Sequence, residues 1–140
     1  MSKVAVVYWS GTGNTEQMAN AVASGVMANH AQVSVFTASE FDASTLNNFD
    51  AVAFGCPAMG AEVLEEDEFE PMFNMCEPQL KNKKIALFGS YGWGDGEWMR
   101  NWEDNCRSNG ICLACESVIC NDAPDDEALE SCKKLGAALV

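Results

Sequence analysis

Positive charge is scarce in this sequence. Its 140 residues contain 8 Lys and Arg against 21 Asp and Glu, which gives a formal net charge of −13 at pH 7. Non-specific binding to nucleic acid depends on clustered cations that release counterions from phosphates, and anionic membrane surfaces also attract basic segments. The charge balance therefore argues against nucleic acid and membranes as partners.

Long hydrophobic runs are absent too. The longest aliphatic and aromatic run is Val4 to Trp9, whereas a membrane-spanning helix needs about 20 apolar residues. The same run is too short and too close to the start to be a signal peptide. We expect a soluble, monomeric protein with one domain over residues 1–140, because this length suits one domain and is too small for two.

Compact cysteine spacing is also missing, although seven cysteines are present: Cys56, Cys76, Cys106, Cys112, Cys115, Cys120 and Cys132. An odd number without regular spacing argues against a disulfide framework and for a reducing compartment, so we predict a cytoplasmic location. The segment Cys112-Leu113-Ala114-Cys115 has the spacing of thiol-redox and zinc sites, but it lies in a predicted strand and no second ligand pair accompanies it. We expect buried, inert thiols and no metal.

Strand and helix patterns alternate along the chain. The predicted strands cover 4–9, 32–37, 51–55, 85–89 and 111–120. Helical patterns follow them: one with Met18, Val22 and Val26 that closes at Asn29 and His30, a short one near 44–49, one that ends by Pro78, one with Trp98 and Trp102, and one over 125–139. This alternation predicts a parallel sheet covered on both faces, with right-handed crossovers. The expected fold class is α/β, a doubly wound sandwich.

The loop after the first strand indicates an anion site. Ser10-Gly11-Thr12-Gly13-Asn14-Thr15 leads into a helix, and its glycines permit a tight turn while the helix N-terminus offers N–H donors and a favourable dipole. No Lys or Arg lies in the loop, so neutral donors would hold a phosphate. Asn14 stands where a Walker A loop has Lys, and Glu16 stands where a dinucleotide loop has its third glycine. Neither motif fits.

Three loops together resemble a known family. The first loop resembles the FMN-phosphate loop of the flavodoxins. Ala58-Met59-Gly60-Ala61-Glu62 and Gly89-Ser90-Tyr91-Gly92-Trp93-Gly94-Asp95-Gly96 resemble the two isoalloxazine loops of the short-chain clostridial type. The resemblance covers the whole chain and implies a five-stranded, flavodoxin-like sheet of order 2-1-3-4-5, with the ligand at the carboxyl ends of the strands. The short span from Gly110 to Asn121 leaves no room for the extra loop of long-chain members.

The resemblance also implies FMN contacts residue by residue. The expected contacts are Ser10, Gly11, Thr12, Gly13, Asn14, Thr15, Pro57, Ala58, Met59, Gly60, Ala61, Glu62, Ser90, Tyr91, Gly92, Trp93 and Gly94. Met59 would lie on the inner face of the flavin, Trp93 would cover its solvent-side face, and Glu62 would accept a hydrogen bond from its N3–H. Ala61 would contribute only its backbone. Trp93 also stands out by itself, because an indole between two glycines is poorly suited to a core.

Gly60 carries the expected redox mechanism. We expect a type II turn with Gly60 at its third position, where φ is positive. The resemblance implies that the Gly60 carbonyl turns towards the flavin N5–H on reduction and stabilises a neutral semiquinone. A second electron would then place an anionic hydroquinone beside a phosphate dianion in a protein of net charge −13, which lowers the second potential. We expect the remaining tryptophans, Trp9, Trp98 and Trp102, to be packing residues.

The resulting functional prediction is a low-potential one-electron carrier that substitutes for ferredoxin and is not itself an enzyme. A small FMN-dependent NAD(P)H reductase is the alternative, but nothing in the chain resembles a second nucleotide site. Acidic residues crowd the segment before the third helix and the end of the fifth strand: Glu62, Glu65, Glu66, Asp67, Glu68 and Glu70, then Asp122, Asp125, Asp126 and Glu127. This charge is either a solvated face or a field that steers basic partners, such as ferredoxin- or flavodoxin-dependent reductases and oxidoreductases.

Overall fold

Five parallel strands form one sheet in a computed structural model that describes residues 2–60 and 62–140. The strands are β1 (Lys3–Tyr8), β2 (Gln32–Thr37), β3 (Ala51–Gly55), β4 (Lys84–Tyr91) and β5 (Val118–Asn121), in the order β2-β1-β3-β4-β5. The helices are α1 (Asn14–Ala28), α2 (Ala43–Leu46), α3 (Phe69–Cys76), α4 (Glu97–Ser108) and α5 (Asp126–Ala138), with 3-10 turns at Ala38–Glu40 and Glu77–Gln79. The expected doubly wound fold and strand order are confirmed.

Apolar runs explain which strands lie at the centre. Every residue of β3 is buried, and so are residues 4–7 of β1 and residues 85–90 of β4. Strands covered on both faces read as continuous apolar runs, whereas β2 and β5 at the two edges alternate or are half-exposed. One face packs on α3 and α4, where Trp98 and Trp102 are buried as expected, and the other packs on α1 and α5.

The predicted fifth strand is longer than the observed one. Residues 111–117 make only one bridge, in which Leu113 pairs with Ile85, and the chain bends at 114–115 before β5 begins at Val118. A run of apolar and small residues therefore marked a β-rich segment without showing where it leaves the sheet. Cys112 in this segment is exposed and Cys115 is half-buried, so the expectation of buried thiols is wrong for Cys112.

All seven cysteines are free thiols. Within residues 2–60 and 62–140, no cluster of three His, Cys, Asp or Glu side chains is arranged to hold a metal ion. Over the same residues, no helix has the length and apolar character that crossing a membrane requires.

Candidate functional site

The loops after β1, β3 and β4 meet at one edge of the sheet. Parallel strands all end at the same edge, and these three strands are neighbours in the order β1-β3-β4. Such carboxyl-end loops beside a switch in strand order are where open α/β sheets bind ligands. The switch falls here between β1 and β3, since the chain goes from β1 outward to β2 and then returns to β3.

The first loop is stabilised from within by a serine. The Ser10 hydroxyl oxygen accepts hydrogen bonds from the backbone N–H groups of Gly13 (3.1 Å) and Glu16 (3.3 Å). Gly13 has a φ of +95° and precedes α1 without a side-chain cap, a conformation that glycine adopts at little cost. The first-turn N–H groups of α1 have no intrahelical acceptors, and they open at this loop. The loop is thus prepared for an anion without a cation.

Trp9 supports the first loop from below. Its indole Cη2 lies 3.1 Å from the point where a Cβ on Gly11 would stand, and its Nε1 donates to Glu68 Oε1 at 3.3 Å. A side chain at position 11 would push against the indole ring. Trp9 therefore connects the first loop to the acidic segment that precedes α3.

Ser90 joins the three loops. Its hydroxyl shares a 2.9 Å hydrogen bond with the Thr15 hydroxyl, and its carbonyl accepts a 3.0 Å bond from the Ala58 N–H. Both hydroxyl side chains are buried. Sequence reasoning placed Ser90 and Tyr91 in a glycine-rich loop, but they are the last residues of β4. The aliphatic run ends at Phe88, and no local signal showed that strand pairing continues past it.

The loop after β3 contains a tight turn at its tip. The Glu62 N–H donates to the Met59 carbonyl at 2.8 Å, and the Met59 N–H donates to the Val63 carbonyl at 2.9 Å. Gly60 is therefore the second residue of the turn rather than the third, and its φ is not positive, so the expectation for its backbone is wrong. The next residue, Ala61, is an expected contact that lies outside the described residues. Nothing would obstruct a Cβ on Gly60 within 4 Å.

Glu62 presents an unpartnered acceptor to this edge. Its φ is +54°, and its carboxylate lies directly against Gly94, so that a Cβ on Gly94 would collide with Oε1. Glu62 Oε1 is buried and accepts no hydrogen bond from the described residues. Burial raises the pKa of the Glu62 carboxyl, a side-chain contact with Glu97 and the charges of Glu97 and Asp95 raise it further, and Arg100 lowers it. When the carboxyl group is ionised, its buried oxygen can accept a hydrogen bond from an N–H group of a ligand.

Trp93 lies at the tip of the third loop with its indole 64% exposed. Gly94 and Gly96 on its far side have φ values of +86° and +95°, so the loop turns sharply before α4 begins. Tyr91 lies half-buried against Trp98, with their ring centroids 5.5 Å apart. The indole of Trp93 is thus held away from the core, where its flat face could stack on a planar ligand.

The acidic segment from Glu62 to Glu70 is only partly exposed, whereas the sequence pattern suggests a fully solvated run. Glu65 is buried, and its carboxylate accepts three backbone hydrogen bonds of 2.8 Å, from Asp67, Glu68 and Phe69. Burial alone would raise the pKa of Glu65, but these three donors outweigh it and lower the pKa. Glu65 therefore stabilises the entry to α3, and it does not belong to the solvated charge. A run of acidic letters gave no sign of this.

The fold and these loops define a class of protein. They form a doubly wound sheet with a loop that lacks cations and opens onto a helix N-terminus at the switch point, next to an exposed indole and a buried acceptor. This arrangement fits a phosphorylated ligand with a planar ring that donates a hydrogen bond.

Comparisons with known proteins agree with this class. A family model described as flavodoxin matches residues 6–136. The flavodoxin of Clostridium beijerinckii is 44% identical over 96% of this chain and 97% of its own length, and that of Megasphaera elsdenii is 43% identical over 96% of both. The solution structure of two-electron reduced Megasphaera elsdenii flavodoxin superimposes with a TM-score of 0.89, at 45% identity over 97% of each chain.

The chain belongs to the flavodoxin family and is of the short-chain clostridial type. Flavodoxins are electron-transfer proteins that bind FMN, and they are not enzymes. The residues at the carboxyl edge fit this cofactor: neutral donors suit its phosphate, and the unpartnered Glu62 oxygen suits a ring N–H.

Replacement of Glu65 tests its structural role. Glu65→Gln should lower the free energy of unfolding by about 1–3 kcal/mol, because an amide oxygen is a weaker acceptor and its NH₂ group faces backbone donors. The folded-state pKa of Glu65 is lowered, so the stabilisation is complete above the unfolded glutamate pKa of about 4.3 and disappears as pH falls through the folded value.

Urea unfolding from pH 7 down to pH 3 measures this effect, with the exposed neighbour variant Glu66→Gln as control. The gap between wild type and Glu65→Gln should be constant near neutral pH and shrink in acid. An unchanged gap at pH 3, or an equal loss in Glu66→Gln, would contradict the role assigned to Glu65.

Proposed function

We propose that this chain is a low-potential one-electron carrier whose FMN is held at the three joined loops. The observation that carries the proposal is the pairing of a cation-free phosphate loop with the buried, unpartnered Glu62 oxygen at the same edge of the sheet. The proposed binding residues are Ser10, Gly11, Thr12, Gly13, Asn14, Thr15, Pro57, Ala58, Met59, Gly60, Ala61, Glu62, Ser90, Tyr91, Gly92, Trp93 and Gly94. The whole chain, 1–140, is proposed as one FMN-binding domain.

The first loop would hold the phosphate. Backbone N–H groups at the start of α1 and the hydroxyls of Thr12 and Thr15 supply neutral donors, and the helix dipole adds a favourable field. Ser90 acts here by fixing the Thr15 hydroxyl, because the two side chains are bonded at 2.9 Å and both are buried. With no cation in the loop, the phosphate keeps its full negative charge.

The second and third loops would hold the ring. FMN, when bound, accepts and donates electrons one at a time through its isoalloxazine ring. Trp93 would cover the solvent-side face and Met59 the inner face, which excludes water from the ring. Glu62 would accept a hydrogen bond from the flavin N3–H, and the carbonyl of Gly60 would accept one from N5–H when N5 carries a proton.

Acidic surroundings support a low potential for the second electron. That electron adds a negative charge to a site inside a protein of net charge −13, and like charges disfavour it. The exposed carboxylates of Glu66, Asp67 and Glu68, in the segment between the second loop and α3, would steer basic redox partners into brief encounters. Ferredoxin- or flavodoxin-dependent reductases and oxidoreductases are the proposed partners.

Ferredoxin replacement in the cytoplasm is the proposed setting. Seven free thiols suit a reducing compartment, and a monomer suits transient encounters in which the flavin edge must reach many partners. The net negative charge also opposes self-association.

Stepwise anaerobic reduction tests the carrier function directly. We expect the visible spectrum of the FMN-loaded protein to change in two separate one-electron steps, the second at a much more negative potential than the first. NADPH alone should leave the oxidised spectrum unchanged. A single two-electron step, or bleaching by NADPH, would favour the reductase alternative and contradict the proposal.

Thr15→Val tests the phosphate site. Loss of a hydroxyl that bonds a charged group costs about 1.5–3 kcal/mol, so FMN affinity should fall about tenfold or more. Titration of the flavin-free protein, followed by quenching of flavin fluorescence, measures this loss. Riboflavin, which lacks the phosphate, is the matched control and should bind both proteins equally. An equal loss for riboflavin would mean that Thr15 acts only through the fold.

Charge reversal tests the docking face. Glu66→Lys should slow electron transfer to a reductase with a basic surface several-fold at low ionic strength, and the difference from wild type should vanish in high salt. Stopped-flow rates across a salt series measure it. Glu116→Lys is the control, because it makes the same charge change at an exposed position between the Leu113–Ile85 bridge and β5. If both variants slow electron transfer equally, only the net charge of the protein matters, and Glu66 does not belong to a docking face.

A further inference from the structure

Cationic side chains are unevenly distributed over the fold. All eight Lys and Arg lie in the described residues, and seven lie towards the edge where the strands begin. Lys3 and Lys84 open β1 and β4, Lys81 and Lys83 just precede β4, and Arg107, Lys133 and Lys134 lie in the later turns of α4 and α5, which run back to that edge. Arg100, in the first turn of α4, stands at the opposite edge, where the three loops meet.

Arg100 contacts Asp95 of the third loop at two points, and both side chains are exposed. Its Nη1 donates to the Asp95 carbonyl at 3.0 Å, and its Nη2 donates to Asp95 Oδ1 at 2.9 Å. Nη1 also lies 3.7 Å from the point where a Cβ on Gly96 would stand. Contact at two points orients a guanidinium more strictly than a single ion pair does.

Arg100 and Glu62 both lie against the third loop, at Gly96 and at Gly94. Glu62 rests on Gly94, and the charged groups that face it are Glu97, Asp95 and Arg100. Burial, then Glu97, then Asp95 raise the pKa of Glu62, whereas Arg100 lowers it. Arg100 therefore opposes the acidic field at the place where the ring would bind.

We propose that the positive charge of Arg100 raises the potential of the second one-electron reduction and so limits how far the acidic surroundings lower it. This inference rests on the proposed function, because it requires FMN at these loops. The second electron adds negative charge, and a nearby cation stabilises added negative charge. No second Lys or Arg stands at this edge among the described residues, so no other side chain would replace the lost charge.

Two variants of α4 separate the local field from net charge. Arg100→Gln and Arg107→Gln remove the same charge from one helix, about 10 Å apart along its axis. Arg100→Gln should lower the equilibrium constant of the second reduction about threefold, which is about 30 mV at 59 mV per tenfold change. Arg107→Gln should have at most a third of that effect. Equal effects of the two variants would overturn the inference.

Arg100→Lys separates charge from contact geometry. Lys keeps the positive charge but cannot make the two-point contact with Asp95, so this variant should keep most of the wild-type potential. If it behaves like Arg100→Gln, then contact rather than charge sets the potential, and the inference fails. The difference between Arg100→Gln and Arg107→Gln should also shrink as salt rises; a difference that persists in about 1 M salt would again overturn it.

A measurement on the flavin-free protein gives an independent readout. Titration of the Glu62 carboxyl by NMR should show a higher pKa in Arg100→Gln and no change in Arg107→Gln. An unaltered Glu62 in Arg100→Gln would mean that the field does not reach the site. Failure of the wild-type protein to take up FMN would end the proposed function and this inference together, whereas FMN uptake with equal potentials in the two glutamine variants would end this inference alone.

Discussion

The hydrogen bonds of Ser90 hold the functional edge together. Its hydroxyl is hydrogen-bonded to Thr15 in the first turn of α1, and its carbonyl is hydrogen-bonded to Ala58 after β3. The end of β4 therefore joins all three loops. These bonds are possible only because β3 lies between β1 and β4 in the sheet. A loop at the end of a strand is otherwise mobile, and a cofactor held by three separate loops needs their spacing to be constant. One small, buried residue meets that requirement here.

Close backbone approach is the second condition at this edge. The Trp98 indole donates to the Cys56 carbonyl at 3.1 Å, and a Cβ on Gly89 would collide with that same carbonyl. Glycine at 89 thus lets β4 lie close beneath the loop after β3. On the outer side, Gly94 leaves space for Glu62. Gly89 in β4 therefore permits the close approach of the segment after β3, and Gly94 in the third loop leaves space for the Glu62 carboxylate.

Local patterns predicted the elements of this fold better than its connections. Continuous apolar runs identified β1, β3 and β4, because strands buried on both faces need no polar positions. The order of the strands came from family resemblance, since no local pattern records which strand neighbours which. The position of Ser90 in β4 depends on pairing and hydrogen bonds with distant segments. The turn at Gly60 and the burial of Glu65 depend on local hydrogen bonds whose geometry the residue types do not specify. Residue type alone therefore could not reveal them.

Seven of the eight cationic side chains lie towards the edge opposite the site, so the site edge is acidic. Repulsion among carboxylates near α3 costs stability, and the structure reduces that cost by using Glu65 as a backbone acceptor instead of a surface charge. The first loop contains no Lys or Arg, so no side-chain cation there would balance the negative charge of a bound phosphate. Among these carboxylates, the single positive charge of Arg100 has a large influence on the local electrostatic potential. A single positive charge matters most where all its neighbours are negative and none of the other cations lies nearby.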